Sequence, residues 1–260
     1  MLFSSYLFIL IFLPIVLIGY FQINKHTNQD NYGKLFLIAS SLFFYGYWFP
    51  PYLLIITSSI TINYFISKKL KDSPQRSLFY IGLFFNIGLL GYFKYCNFFF
   101  DQINFIFSSD IQFMKIALPL GISFFTLQQI AFIVDTYQGV TKENKFLDYA
   151  LFVSFFPQLI AGPIVHHAEV IPQFSKSEST IFNRDNFSLG IYIFCLGLGK
   201  KILLADTFAE YANTGFETES TLHLFYAWGT SLSYTFQLYF DFSGYSDMAI
   251  GLGYMFNIKL

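Results

Sequence analysis

Near the C-terminus, chemistry-bearing side chains stand inside an apolar stretch: Gln237-Leu-Tyr239-Phe-Asp241-Phe-Ser243-Gly244-Tyr-Ser-Asp247-Met-Ala-Ile-Gly251-Leu-Gly253. An unpaired charge buried in such surroundings is costly, so carboxylates there pair, line a wet cavity, or both. Tyr234, Gln237 and Asp241 are spaced by three and four, which puts them on one helical face. Ser243 and Asp247 repeat the four-residue step beyond an expected interruption at Gly244. The stripe reads equally as a structural network, in which each Asp caps a helix or accepts bonds from hydroxyls and N–H groups, or as the wall of a functional cavity. Gly244, Gly251 and Gly253 suit close approach of backbones. A phosphate loop is excluded, because the glycine spacing is wrong and no Lys follows.

A second set of polar groups lies upstream. Gln128-Gln129 and Asp135 interrupt or end the apolar run Ile116–Val134. Amides in a span bond neighbouring helices or line a tunnel. His166 and His167 follow Gly162-Pro163 and read as ordinary loop positions, the alternative being acid–base groups or contact with a substrate headgroup or partner. No metal site is expected, since no Cys or paired carboxylates lie close to them in sequence. His26 and His223 fall in loops. Lys200-Lys201 are costly at mid-membrane and are expected to snorkel to an interface. Cys96 and Cys195 lie in apolar segments and read as packing residues.

The elements that must position these groups are those of an all-α, polytopic integral membrane bundle. The chain is 55% hydrophobic, 22% aromatic and only 12% charged, with mean hydropathy +0.51. A soluble domain carries about 25% charge. Net charge is −1 and no basic stripe is present, so nucleic-acid binding is excluded. Spans are expected at Leu7–Ile23, Leu78–Tyr95, Ile116–Val134, Phe187–Leu204 and Leu224–Phe240. Leu35–Trp48 and Tyr52–Ile66 reach only roughly 22 Å and form a hairpin around Pro50-Pro51, with an aromatic belt at its tip. Phe98–Phe107 reads as an interfacial helix, and Phe146–Ala161 as a re-entrant segment broken at Gly162-Pro163. Ser67–Ser77 carries Lys68, Lys69, Lys71 and Arg76 against Asp72, a cytoplasmic signal. It puts Met1 outside, Asn24–Lys34 and Thr136–Lys145 inside, and Lys94–Lys115 outside. The first span lacks a basic leader and a cleavage site, so it is expected to be retained. No soluble domain is expected within 1–260.

The Gln237–Gly253 string resembles a signature of the membrane-bound O-acyltransferases, in the branch that acylates extracytoplasmic polymers. Further likenesses follow in family order. They are Met1-Leu-Phe-Ser-Ser5, Leu37-Ile-Ala-Ser-Ser41, Lys94-Tyr-Cys-Asn97, Leu118-Pro119-Leu-Gly121-Ile-Ser123, Phe156-Pro-Gln158-Leu-Ile-Ala-Gly162-Pro163 and Gly197-Leu-Gly199-Lys200-Lys201. The resemblance implies acetyl transfer from cytosolic acetyl-CoA, with no bound cofactor, to a polysaccharide such as alginate or peptidoglycan. It further implies a bacterial inner membrane, surrounding lipid, and a hydrolase-like transferase as extracytoplasmic partner. The family's catalytic His lies beyond a Trp-Arg-Arg-Trp-His-like segment absent from 1–260. The chain is therefore expected to be the N-terminal portion of a longer fold, with no catalytic residue of its own and no transfer activity alone. Candidate tunnel-lining residues are Gln128, Gln158, His166, His167, Gln237, Tyr239, Asp241, Ser243 and Asp247. A small transporter or channel subunit, or a scaffold for a periplasmic transferase, also accommodates intramembrane Asp and broken helices.

Overall fold

A computed structural model describes residues 1–26, 30–107, 116–141, 145–160, 162, 165–217 and 223–260. The described residues contain helices and no strands. The chain opens with a π turn, Phe8–Phe12, that runs into α1, Leu13–His26. Pro14 has no N–H to give, and the Leu13 N–H reaches back five residues to the Phe8 carbonyl. A widened turn beside a proline is the expected adjustment. Then come α2 (Asp30–Gly46), α3 (Tyr52–Asp72), α4 (Arg76–Phe107) and α5 (Ile122–Tyr137). Short helices follow: α6 (Phe146–Ser154), α7 (Phe156–Leu159), α8 (His167–Val170), a 3-10 turn (Ile171–Ser175) and α9 (Ser177–Thr180). Three long helices close the chain, α10 (Arg184–Gly199), α11 (Asp206–Phe216) and α12 (Leu224–Met255), with a π segment, Lys200–Ala205, fusing α10 to α11.

Among the described residues, three stretches are long and apolar enough to cross a membrane: Phe8–His26, Arg76–Phe107 and Arg184–Phe216. Several sequence expectations fall short of the observed lengths. Tyr52–Ile66 continues to Asp72, because Lys69 and Lys71 fit a helix C-terminus, where cations meet the negative end of the dipole. Phe98–Phe107 is no separate interfacial helix. It prolongs α4, since no Gly or Pro intervenes, and Asn97 exchanges two bonds with the Ile116 backbone. Gly244 does not interrupt α12, which runs unbroken to Met255.

Gly244 instead serves a close crossing. An added Cβ would lie 2.7 Å from the Gly197 carbonyl oxygen, and one at Gly197 would lie 2.5 Å from the Gly244 oxygen. Gly190 and Gly251 repeat the arrangement, each 2.6 Å from the other's oxygen by the same measure. The seven-residue step on both helices keeps the glycines facing each other along an antiparallel α10–α12 seam.

The segment read as re-entrant is wrapped in protein. α6 ends at Phe155, whose ψ of 108° breaks the helix before α7. Phe156 then packs against Phe12 and Phe44 at 5.5 Å and Phe256 at 5.8 Å. Gln158 Nε2 donates to the Phe152 carbonyl, one of the acceptors the broken helix leaves open. Lys34 binds both Asp148 at the start of α6 and Ser175 after α8, so the segment enters and leaves at one end of the bundle. The expected break at Gly162-Pro163 is described only at Gly162. Pro163 and parts of the loops Asn24–Lys34, Lys94–Lys115 and Thr136–Lys145 lie outside the described residues.

A buried amide network ties the first half together. Asn63 of α3 and Asn86 of α4 exchange bonds of 2.6 and 3.2 Å. Asn63 also donates to Gln129 Oε1 of α5, which accepts from Ser59 at 3.2 Å and Tyr149 at 3.4 Å. Gln129 thus bonds neighbouring helices, as an amide in a span does.

Candidate functional site

Helical spacing decides what α5 can present. Gln128 and Asp135 are seven residues apart and share a face, while Gln129 turns into the amide network. On the other side of the Gln128–Asp135 face, the chain leaving the re-entrant segment delivers His166 and His167. Gln128, His166 and His167 line a cavity of about 440 Å³ whose other walls are largely apolar, among them Phe124, Leu127 and Phe152.

His166 Nε2 lies 3.0 Å and His167 Nδ1 3.4 Å from Asp135 Oδ2. The His166 side chain is 50% exposed, whereas that of His167 is 4% exposed and packs with Phe132, ring centroids 5.0 Å apart. Burial pushes the His167 imidazole below its ordinary pKa, His166 adds to this, and Asp135 opposes it. His167 is therefore a neutral imidazole near pH 7. The His166 Nδ1 accepts the Ala168 N–H at 3.4 Å, capping α8. Donor atoms of Asp135, His166 and His167 all lie within 4.8 Å of one another. Asp135 thus supplies a third donor atom far away in sequence from the two histidines.

The C-terminal candidates form a second group. Lys200 Nζ bonds Asp247 at 2.6 Å and Ser243 at 3.1 Å, and Lys201 Nζ bonds Asp206 at 2.7 Å and Asp241 at 2.8 Å. The π segment lets two consecutive lysines both meet carboxylates. Each lysine has a carboxylate partner, which lowers the cost of a cation within the apolar stretch Arg184–Phe216. Tyr239 is 63% exposed. Gln237 is half-buried, with an Oε1 that accepts no bond. Gln158 belongs to the clasp of the broken helix. So Gln128, His166 and His167 come together, Asp241, Ser243 and Asp247 come together, and Gln158 and Tyr239 join neither group. Sequence reasoning missed the pairing of Lys200 with Asp247. The available signal was that two cations and two carboxylates in apolar stretches need partners.

Comparison with known proteins decides the family. A model of the MBOAT, membrane-bound O-acyltransferase family, matches residues 136–259, which hold both groups apart from Gln128 and Asp135. The chain is 46% identical to the peptidoglycan O-acetyltransferase of Helicobacter pylori, over all of this chain and 55% of that protein. The chain belongs to the membrane-bound O-acyltransferase family. A probable alginate O-acetylase of Pseudomonas aeruginosa is 38% identical over all of this chain and 50% of its own length. A teichoic acid D-alanyltransferase of Bacillus subtilis is 29% identical over 54% of this chain and 36% of its own. The chain spans about half the length of the curated relatives it matches in full. Family and apolar helices together make this O-acyltransferase homologue a membrane protein.

Proposed function

We propose that the chain forms the N-terminal half of an O-acyltransferase that acetylates an extracytoplasmic cell-envelope polysaccharide. The observation that carries this reading is the end-to-end match to a peptidoglycan O-acetyltransferase at 46% identity. In this reading the protein crosses a bacterial inner membrane several times. Acetyl-CoA is the donor, an acceptor hydroxyl replaces the thiol on the acetyl carbonyl, and a hydrolase-like transferase outside receives or relays the group. Phe79 at the start of α4 stacks on Tyr137 at the end of α5, centroids 4.5 Å apart. Asp135 and the two histidines thus sit at the end of the bundle that carries Lys68, Lys69, Lys71 and Arg76, the cytoplasmic end by the charge rule. Gln128, His166 and His167 then line a donor-side cavity, and the Lys200–Asp247 group lies deeper along α12.

The test is a chimera. Residues 1–260 replace the matching half of the Helicobacter pylori enzyme in cells lacking their own copy, and ester-linked acetate is measured on purified peptidoglycan. A parallel chimera with the alginate enzyme separates the acceptors. Restored acetylation in either supports the reading. A chimera that inserts at normal abundance yet restores neither acetylation overturns it.

A further inference from the structure

We propose that Asp135, His166 and His167 form a binding site for a divalent transition-metal ion of the zinc type, which fastens the exit of the re-entrant segment to the end of α5. The inference rests on the donor geometry and not on the proposed reaction. Ligands about 2.0–2.1 Å from a tetrahedral zinc stand roughly 3.3 Å from each other. Asp135 Oδ2 is already 3.0 Å from one imidazole nitrogen and 3.4 Å from another. Yet that oxygen is buried and accepts no hydrogen bond, although both nitrogens are close enough to give one. Neither N–H direction points at the oxygen, and the three donor atoms all lie within 4.8 Å of one another, which leaves room for an ion between them. Among the described residues no Lys or Arg pairs with Asp135, so its charge has no permanent countercharge. A carboxylate oxygen buried in that condition is costly, and a bound cation lowers the cost.

Two imidazoles and one carboxylate are a set that favours zinc and its first-row neighbours over magnesium or calcium, which prefer oxygen alone. Three protein ligands leave a fourth position open. His166 is half exposed, which gives an ion a way in and a water a place to complete the tetrahedron. Ligation has one local cost. With the metal on Nε2, the His166 ring proton sits on Nδ1, and the long cap from Ala168 is given up. The metal-free protein keeps the cap, and the metal-bound protein exchanges it for coordination.

The experiment uses the full 260-residue chain in detergent, carrying an affinity tag without histidines and stripped by a chelator. Zn²⁺ is added and washed, and bound metal is counted by mass spectrometry. Co²⁺ is added separately, and its visible absorption reports coordination. One tightly held equivalent and a tetrahedral Co²⁺ spectrum are expected. Loss of an outer-shell partner weakens metal binding by about 10–100-fold, so removing a ligand is expected to weaken it by at least that. Asp135→Asn should show this loss, and so should His166→Gln, whose half-exposed position tolerates substitution if Asp135→Asn fails to fold. A His26→Ala/His223→Ala variant should bind as the parent does. Retention of the metal by His166→Gln, or its loss in the His26/His223 variant, overturns the proposal. So does a parent chain that holds no equivalent after washing, which would leave Asp135 and the histidines as a hydrogen-bonding group only.

Discussion

Replacing Asn63 by Leu tests the buried amide network most directly, because the side chains are similar in size and both Asn63 and Asn86 are fully buried. The substitution removes the donor that Asn86 Oδ1 receives at 3.2 Å and the acceptor that Asn86 Nδ2 uses at 2.6 Å. Asn86 Nδ2 keeps the Gly82 carbonyl at 2.8 Å, and Gln129 Oε1 keeps Ser59 and Tyr149. One acceptor, Asn86 Oδ1, is thus left without a partner. An orphaned buried acceptor costs about 1–3 kcal/mol, and each of the three hydrogen bonds lost between helices about 0.6 kcal/mol, so the total is roughly 3–5 kcal/mol. Asn86→Leu should cost a similar amount for the mirrored reason. The double variant removes donor and acceptor together, and should cost less than the sum of the singles by about 1 kcal/mol or more. Reversible unfolding in mixed micelles, followed by helicity, gives the four free energies of the cycle. Additivity within about 0.5 kcal/mol would refute the network, and would mean that each amide is stabilised by its own helix alone.

Three further outcomes are expected. Gly197→Ala should lower stability by about 1–3 kcal/mol, because its Cβ meets the Gly244 oxygen, whereas Gly199→Ala, with nothing within 4 Å, should not, as compared by melting in detergent. Asp247→Ala leaves Lys200 with Ser243 alone, while Asp241→Ala leaves Lys201 still paired with Asp206. An unpaired Lys at membrane depth costs up to about 2.5–3.5 kcal/mol, so expression and melting should suffer more from the first than from the second. Burial lowers the Met1 amine from 8.0 to about 6. The unfolded chain then binds more protons between those values, and stability should rise with pH across that window by on the order of 1–3 kcal/mol. Melting measured from pH 6 to 8 tests this, and N-terminal acetylation should abolish the trend.

Apolar length made the spans at α1, α4 and α10 legible, and the turn at Pro50-Pro51 was readable from its aromatic and proline residues. Helix ends were not: the expected spans stop at Ile66 and Tyr95, while α3 continues through Lys68 and α4 through Asp101. The Gln158-to-Gly162 string pointed to a break at Gly162-Pro163, while the break between α6 and α7 lies at Phe155, ahead of Pro157. Gln128, His166 and His167 were each visible as candidates, but that they share one cavity was not, because α5 and the exit of the broken segment are far apart in sequence. The approach of Asp135 was hidden, because it depends on where the re-entrant segment surfaces. Likewise the charges of the C-terminal string were visible one by one, but their partners depend on the register of α10 against α12, set by glycines whose facing is a property of two helices at once.

That register has a mechanical consequence. Where the α10–α12 helices cross, they touch backbone to backbone, at Gly190 with Gly251 and Gly197 with Gly244. Such contacts carry no titrating group and no flexible side chain, and weak Cα–H to carbonyl attraction suits them. Acid and salt therefore act on this seam only through the Lys200–Asp247 pair beside Gly197 and Gly244, not through the glycine contacts themselves. On heating, the two long helices should part last and behave as one stiff rod. The cavity lies outside that rod, lined by α5 and by the short, broken elements that follow it.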